Sequence, residues 1–229
     1  MKDIAINKST LKFLKDLAAN NNREWFNAHK DIYIQSQQNM TDVVDRLIFE
    51  MNKHDAIENE SGKKSLYRIY NDVRFSKDKS PYNARFAFSL RRATTQKRGG
   101  YYINIKPGNS YIACGFFSPN PEDLKRIRLD IEANYSDWNK LLKSKNIKAN
   151  FGNLRGDAVA TTPKGFDINH PAIGLLRYKQ FILRHDLTDK EVAAESFIED
   201  MNRILKSVRP FFNYMSDVLT TDLNGESII

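Results

Sequence analysis

Cysteine is almost absent from this chain of 229 residues, which contains only Cys114. An internal disulfide and a cysteine-rich zinc site are therefore excluded. Cys114 lies in the apolar segment 111–117, where a buried, unreactive thiol is the expected state and a nucleophilic thiolate the alternative. No apolar run approaches the roughly 18 residues of a membrane span, and charges interrupt the N-terminal segment, unlike a signal peptide. We therefore expect a cytoplasmic protein that does not contact membranes.

The signature motifs of common enzyme classes are also absent. The chain has no glycine-rich phosphate loop followed by Lys-Ser or Lys-Thr, no dinucleotide fingerprint, no nucleophile elbow and no His-Glu-x-x-His. The four histidines are far apart in the sequence, at positions 29, 54, 170 and 185, so their spacing does not indicate a metal site. We predict no cofactor and no metal, and the sequence leaves open whether the protein is an enzyme.

Positive charge is abundant and confined to one segment. The formal net charge is +8, from 36 Lys or Arg and 28 Asp or Glu. Residues 63–98 hold eleven of the basic residues and only two acids, Asp72 and Asp78, while the rest of the chain is close to neutral. Charge concentrated in this way attracts anions and speeds their encounter. We therefore expect a negatively charged partner to bind near this segment.

The N-terminal quarter has the apolar spacing of helices. A first helix begins after Ser9 and Thr10, which can cap it, and ends at the asparagines 20–22. A second helical pattern begins at Arg23 and continues for about eight turns to Met51.

The middle of the chain has the alternation of strands. Apolar residues alternate in 67–76 and in 85–91, although Leu66, Ile69 and Val73 also fit a helix. Residues 100–117 predict a hairpin that turns at 107–109, where Pro-Gly-Asn favours a turn. A later strand is predicted near 178–184.

The last third returns to helical patterns. Asn120 and Pro121 form a start signal, and Trp138 lies in a further helical segment, 136–145. Thr188 and Glu191 form a capping box before the C-terminal helices at 188–221, which Pro210 must kink or end.

The order of these elements predicts the fold class. Helices, then strands, then helices favour an α+β fold with a mostly antiparallel central sheet, built roughly from residues 66–117 and a strand near 178–184. The N-terminal and C-terminal helices would pack on this sheet. No linker is long enough to require two domains, so we expect residues 1–229 to form one.

The segment 68–83 is the candidate binding site. If 67–76 is a strand, Arg68, Asp72 and Arg74 share a face, and Asp72 can orient the guanidinium of Arg74 for an anion. Pro81 would stiffen the end of the loop. Further donors would come from Ser76, Lys77, Lys79 and Tyr82. In the alternative, Arg74 simply pairs with Asp72 or Glu24 and the lysines solvate an exposed turn.

Five blocks of the chain resemble, in order, one bacterial and fungal family known as domain of unknown function 2461. The blocks are 20–33, 68–83, 100–102, 115–131 and 163–181, and they span about residues 11–185. The resemblance implies a single-domain cytoplasmic protein, but it implies no particular activity. The motif members carried over are Arg23, Glu24, Trp25, Lys30, Arg68, Asp72, Arg74, Ser76, Lys77, Asp78, Lys79, Tyr82, Lys164, Gly165, His170 and Lys179. Asn83 departs from the family pattern, which has a basic residue after Pro-Tyr.

These observations lead to three hypotheses. The first is a basic cleft that binds a phosphate- or carboxylate-bearing small molecule. Its predicted anion-binding residues are Arg23, Lys30, Arg68, Arg74, Ser76, Lys77, Lys79, Tyr82 and Lys164. If the protein is an enzyme, Asp72 or His170 would transfer the proton.

The second hypothesis is a nucleic-acid-binding module that uses aromatic side chains among the basic residues for stacking, namely Tyr67, Tyr70, Phe75, Tyr82, Phe86, Tyr101 and Tyr102. The third is a non-catalytic scaffold, and the oligomeric state is left open.

Overall fold

The computed structural model describes residues 4–222 and 226–228. Over these residues the chain forms eleven helices and four strands. The helices are α1 (Lys8–Ala19), α2 (Arg23–Ala28), α3 (Lys30–Met51), α4 (Gly62–Ser65), α5 (Pro121–Ala133), α6 (Tyr135–Leu142), α7 (Lys145–Phe151), α8 (Ile173–Leu176), α9 (Asp189–Val192), α10 (Phe197–Ser207) and α11 (Arg209–Thr220). The strands are β1 (Phe86–Arg91), β2 (Gly100–Ile105), β3 (Ser110–Phe116) and β4 (Phe181–Leu187).

The four strands form one antiparallel sheet in the order β1-β2-β3-β4. The predicted hairpin between β2 and β3 is present, and the amide of Asn109 donates to the carbonyl of Lys106 across its turn at 2.8 Å. Gly108 in this turn has a φ of +76°, which glycine adopts without a steric penalty. The predicted α+β class, with a mostly antiparallel sheet and helices at both ends of the chain, is confirmed.

The strand predicted over 67–76 is absent. Leu66 forms an isolated bridge with Phe88, and Tyr70 forms another with Tyr82. The chain then turns back on itself, and the alternating apolar residues of this stretch do not pack against the sheet: Val73 is only half-buried and Phe75 is 93% exposed. Arg68, Asp72 and Arg74 therefore do not share a strand face, and residues 72–79 form a loop.

The long N-terminal helix predicted from Arg23 is two helices, α2 and α3, separated at His29. The side chain of Asn22 caps α2 by accepting from the amide of Trp25 at 2.9 Å. His29 has non-helical dihedrals, its ring stacks on Trp25 at 4.1 Å, and its Nδ1 lies 2.8 Å from the Trp25 carbonyl oxygen. A side chain that reaches the backbone in this way interrupts the helical ladder.

Two of the predicted helix starts are present in the structure, and one is not. Asn120 caps α5 as predicted, with its Oδ1 accepting from the amide of Asp123 at 2.8 Å. The capping box of Thr188 and Glu191 is present, but it opens the short helix α9, and α10 begins only at Phe197. Asn7 occupies the N-cap of α1 without a side-chain bond, so the predicted caps Ser9 and Thr10 are wrong.

Pro210 ends one helix and begins another, as the sequence predicts. Helix α10 ends at Ser207 and α11 begins at Arg209, so Pro210 occupies the first turn of α11. In that position its missing N–H costs no helical hydrogen bond. The short helices α4, α7 and α8 have no counterpart among the predicted elements.

The chain divides into two compact units, and every strand of the sheet has residues in both. The first unit comprises residues 4–90, 102–112 and 186–203, and the second comprises 91–101, 113–185 and the described residues from 204 onwards. In the first unit, α1 and α4 pack on α3. In the second unit, α11 packs on α5 and α6. A single domain over the whole chain stays a prediction. No helix within the described ranges has the length and apolar character needed to cross a membrane.

Candidate functional site

A polar cavity of about 420 Å³ lies within the first unit. Its wall is formed by the end of α1, the segment 71–85 and the β2–β3 hairpin. A volume of this size is ordinary for a small-molecule site, which typically has roughly 300–1,000 Å³. Five asparagines lie on the wall, at positions 21, 71, 83, 104 and 109. The cavity is therefore rich in amide groups, which can both donate and accept hydrogen bonds.

Two of these asparagines fix the base of the loop 72–79. The side chain of Asn21 donates to the Tyr82 carbonyl at 2.8 Å and accepts from the Tyr82 amide at 3.1 Å. The side chain of Asn71 donates to the Ser80 carbonyl at 3.0 Å, and its backbone amide donates to Pro81 at 2.9 Å. The ends of the loop are thus held together, and its base forms one rim of the cavity.

Arg85 is the best-oriented cationic side chain on the wall. Its Nη1 donates to the hydroxyl of Tyr102 at 2.9 Å and to Oδ1 of Asn104 at 3.1 Å. Asn104 is itself 1% exposed and is fixed by a bond from its Nδ2 to the Asn109 carbonyl at 2.9 Å. Burial raises the pKa of Tyr102 above its ordinary value, so the phenol stays protonated near neutral pH. These contacts hold the guanidinium in one orientation.

The remaining donors of Arg85 are available to a ligand. Among the described residues, neither its Nε nor its Nη2 makes a hydrogen bond. The side-chain amides of Asn83 and Asn109, also on the wall, make none within the same residues. A guanidinium can bind a carboxylate or phosphate through two parallel N–H groups. The arrangement is thus suited to an anionic group with neighbouring hydrogen-bonding atoms.

The charge on the cavity wall is mixed. Arg85 and Lys106 are cationic, and Asp78 is a carboxylate. Hydrogen bonds from the backbone and side chain of Ser80 hold the pKa of Asp78 below its usual value, so Asp78 is ionised at neutral pH. A bare anion is attracted by two groups and repelled by the third. A ligand that carries hydroxyl donors beside its anionic group can satisfy all three.

Comparison with known proteins supports one assignment. The family described as "Conserved hypothetical protein (DUF2461)" matches residues 9–214. The chain belongs to this family. The match includes every residue of the cavity wall and extends beyond the resemblance at 11–185 to include α10 and part of α11. No curated protein and no solved structure matches the chain.

Four of the nine predicted anion-binding residues of this DUF2461 chain lie on the loop 72–79 and are exposed, namely Arg74, Ser76, Lys77 and Lys79. The side chain of Phe75 is 93% exposed, and the Arg74 guanidinium lies 5.8 Å from its ring. Lys79 donates to the carbonyl of Val73 at 3.0 Å. Arg68, Ser76 and Lys77 are also exposed. Of the nine residues predicted, Tyr82 is the one on the cavity wall within the described chain.

Asp72 and Arg74 form the pair that the sequence predicted. Oδ2 of Asp72 lies 2.7 Å from Nη2 of Arg74, and Oδ1 lies 3.0 Å from its Nε. The Arg74 hydrogen bonds hold the pKa of Asp72 below its ordinary value. A carboxylate with a lowered pKa is a weak base, which argues against proton abstraction by Asp72 at neutral pH.

The other predicted residues are divided between the units. Arg23 and Lys30 are exposed residues of α2 and α3 in the first unit. Burial raises the pKa of Tyr82, and the nearby charge of Arg23 partly opposes this. Lys164 and His170 belong to the second unit, where Nδ1 of His170 accepts from the amide of Ala172 at 3.1 Å. Their part in a binding site stays a prediction.

The cavity residues that sequence reasoning missed have one recognisable signal. Asn104 is a polar residue between two isoleucines in a strand whose side chains are mostly apolar, and buried polar residues need hydrogen-bond partners. Arg85 lies in the basic segment 63–98, where no local pattern distinguishes it from the other basic residues. Over the described residues, no group of three or more His, Cys, Asp or Glu side chains is placed to hold a metal ion.

Proposed function

We propose that the protein binds a phosphate- or carboxylate-bearing small molecule in the polar cavity, with Arg85 as its main anion-binding residue. The observation that carries this proposal is the fixed guanidinium of Arg85, whose Nε and Nη2 make no hydrogen bond within the described chain. Because Tyr102 and Asn104 already hold the side chain, binding an anion costs little additional side-chain entropy. Lys106 adds a second positive charge on the same wall.

The exposed basic side chains of 68–79 would act at longer range than Arg85. Arg68, Arg74, Lys77 and Lys79 would raise the local concentration of anions near the cavity rather than bind the ligand directly. The participation of Arg23, Lys30, Ser76 and Lys164, the proton-transfer roles of Asp72 and His170, and the cytoplasmic location remain predictions from the sequence.

The proposal is tested by calorimetry with nucleotides, sugar phosphates and organic acids. Charge-assisted hydrogen bonds contribute roughly 1.5–3 kcal/mol, so we expect Arg85→Ala to weaken the affinity for the bound compound by about 10- to 100-fold. Arg85→Lys should recover only part of the loss, because lysine lacks the planar fork. Arg74→Ala is the matched control, since it removes an exposed arginine outside the cavity wall and should change affinity by no more than about twofold at physiological salt.

The opposite result for these two variants would indicate that the anion binds at the loop 72–79. If Arg74→Ala abolished binding and Arg85→Ala had no effect, the sequence-based assignment of Arg74 would be correct and the cavity assignment wrong. A panel in which no compound binds the unaltered protein would contradict the proposal altogether.

Nucleic-acid binding is a second candidate, favoured by the exposed aromatic side chains near the basic loop. Tyr67, Tyr70 and Phe75 are 53%, 47% and 93% exposed. However, three other aromatics predicted for stacking, Tyr82, Phe86 and Tyr101, are buried in the core. Filter binding at two salt concentrations tests whether the protein binds nucleic acid, because an affinity that depends on phosphate contacts falls steeply as the salt concentration rises.

The scaffold hypothesis makes its own prediction about the Asp72–Arg74 pair. If this pair fixed the fold, replacing either residue would lower the thermal midpoint. Both side chains are substantially exposed, at 42% and 76%, and exposed ion pairs contribute little to stability. An unchanged midpoint would leave the pair without a structural role.

A further inference from the structure

Three tyrosines form a row that begins on the cavity wall. Tyr111 lines the cavity, the ring centroid of Tyr102 lies 6.0 Å from that of Tyr111, and the ring of Tyr67 lies 6.1 Å from that of Tyr102. Tyr102 is on β2 and Tyr111 is on β3, while Tyr67 belongs to the segment that bonds to Ala87 of β1. The row therefore crosses three adjacent chain segments within the first unit.

The row is accessible, unlike most aromatic side chains of this chain. Side chains alternate between the faces of a strand, so the neighbours Tyr101 and Tyr102 point to opposite sides of β2. Tyr101 is 1% exposed and belongs to the core, whereas Tyr102 and Tyr111 are half-buried and Tyr67 is 53% exposed. The row thus presents aromatic surface next to Arg85, whose Nη1 donates to the hydroxyl of Tyr102.

We propose that the ligand is a mononucleotide, with its phosphate on Arg85 and its base stacked on the tyrosine row at Tyr111. This inference rests on the proposed anion-binding function of the cavity. Nucleobases stack on aromatic side chains through their π faces. The unbonded amides of Asn83 and Asn109 offer a donor and an acceptor each, the pair of groups that asparagine uses to recognise the edge of a base.

The carboxylate on the wall favours the same class of ligand. Asp78 would repel a bare phosphate, but it can accept hydrogen bonds from the hydroxyls of a ribose. The volume of about 420 Å³ is that of a small-molecule site, which favours one nucleotide over a polymer. Phosphate, ribose and base therefore each have matching groups on this wall.

The experiment is calorimetry with AMP, adenosine, ribose 5-phosphate, inorganic phosphate and a single-stranded oligonucleotide. We expect AMP to bind about tenfold more tightly than ribose 5-phosphate, since the base adds a stacking contact. Tyr111→Leu should weaken AMP binding by about tenfold and leave ribose 5-phosphate within about twofold. Tyr111→Phe keeps the aromatic face and should retain most of the AMP affinity.

Asn109→Ala provides a second variant that does not depend on the folding of Tyr111→Leu. Asn109 is exposed and its side chain makes no hydrogen bond among the described residues, so the fold should tolerate the change. We expect a loss of AMP affinity of about fivefold with an unchanged affinity for inorganic phosphate. Thermal unfolding of each variant confirms that it is folded.

The outcomes separate this inference from the proposed function. Equal affinities for AMP and ribose 5-phosphate, both unaffected by Tyr111→Leu and Asn109→Ala, would overturn the nucleotide assignment and leave anion binding intact. Binding of the oligonucleotide without AMP would also overturn it. If none of the five probes bound, both the inference and the proposed function would fail.

Discussion

Asp130 accepts hydrogen bonds from three side chains of the second unit. Nε1 of Trp138 donates to it at 2.6 Å, the hydroxyl of Tyr214 at 2.9 Å and Nδ2 of Asn134 at 2.7 Å. Trp138 and Tyr214 belong to α6 and α11, so one carboxylate on α5 joins three helices. Its removal would leave the N–H of the fully buried Trp138 without a partner, and unpaired buried donors are costly.

Asp130→Ala should lower the free energy of unfolding by about 2–4 kcal/mol, because it breaks a side-chain network that includes a buried indole. Urea denaturation followed by tryptophan fluorescence measures the change. Asp137→Ala is the control, since Asp137 is 58% exposed and pairs only on the surface with Lys140 among the described residues. Equal losses for the two variants would contradict a special role for Asp130.

Residue-scale features could be predicted from sequence where their partners are close in the chain. The Asp72–Arg74 pair is predictable from the sequence because only Val73 separates its members. The expected burial of Cys114 is confirmed, and that burial raises the pKa of its thiol. The role of Arg85 is not predictable in this way, because its partners, Tyr102 and Asn104, are 17 and 19 residues away. Such contacts depend on strand register, which the sequence pattern alone did not supply.

At the scale of elements, α5 has the most complete start signal. Asn120 accepts from the amide of Asp123, Pro121 occupies the first turn, and Glu122 and Asp123 are favoured by the helix dipole. We expect Asn120→Ala to lower the free energy of unfolding by about 1 kcal/mol, the usual contribution of a cap. Asn120→Ser keeps a capping oxygen without placing a second carboxylate beside Asp123, and should be close to neutral in urea denaturation. A neutral alanine variant would show that the cap does not stabilise the folded chain.

The elements predicted correctly are those with local signals. The hairpin at 107–109, the cap of α5 and the helix boundary at Pro210 each depend on a few adjacent residues. The errors at 29 and at 67–76 arise because tertiary contacts override the local pattern. Apolar spacing continues through His29, but the histidine ring stacks on Trp25 and its Nδ1 approaches the Trp25 carbonyl. Alternation continues through 67–76, but the bridge between Tyr70 and Tyr82 turns the segment into the base of a loop.

At the scale of the whole molecule, the basic segment 63–98 is divided between the two units. Its residues up to 90 belong to the first unit and those from 91 to the second. Arg92 is 5% exposed and donates to Asn213 at 3.2 Å, while Arg98 forms an ion pair with Asp123, both within the second unit. Part of the positive charge therefore stabilises the fold. Counting charges in the sequence could not separate these arginines from those available to a ligand.

The stability of the whole protein should also depend on tyrosine ionisation. Burial is the largest cause of a raised pKa at four tyrosines, namely Tyr33, Tyr82, Tyr102 and Tyr214. At Tyr214 the hydrogen bond to Asp130 and the charge of that carboxylate raise the pKa further. In the unfolded chain these phenols return to their ordinary pKa of about 10.

We therefore expect the free energy of unfolding to fall as the pH rises above about 10, because the folded protein then retains phenolic protons that the unfolded chain has released. Below pH 9 these tyrosines are protonated in both states and contribute no slope. Tyr214→Phe removes one of the four groups, so urea midpoints measured between pH 9 and 11 should decline less steeply in this variant. Tyr111→Phe is the comparison, since it also removes one phenol but leaves the hydrogen bond between Tyr214 and Asp130 in place. A Tyr214→Phe profile as steep as that of the unaltered protein would show that Tyr214 ionises at the same pH in the folded and unfolded chain.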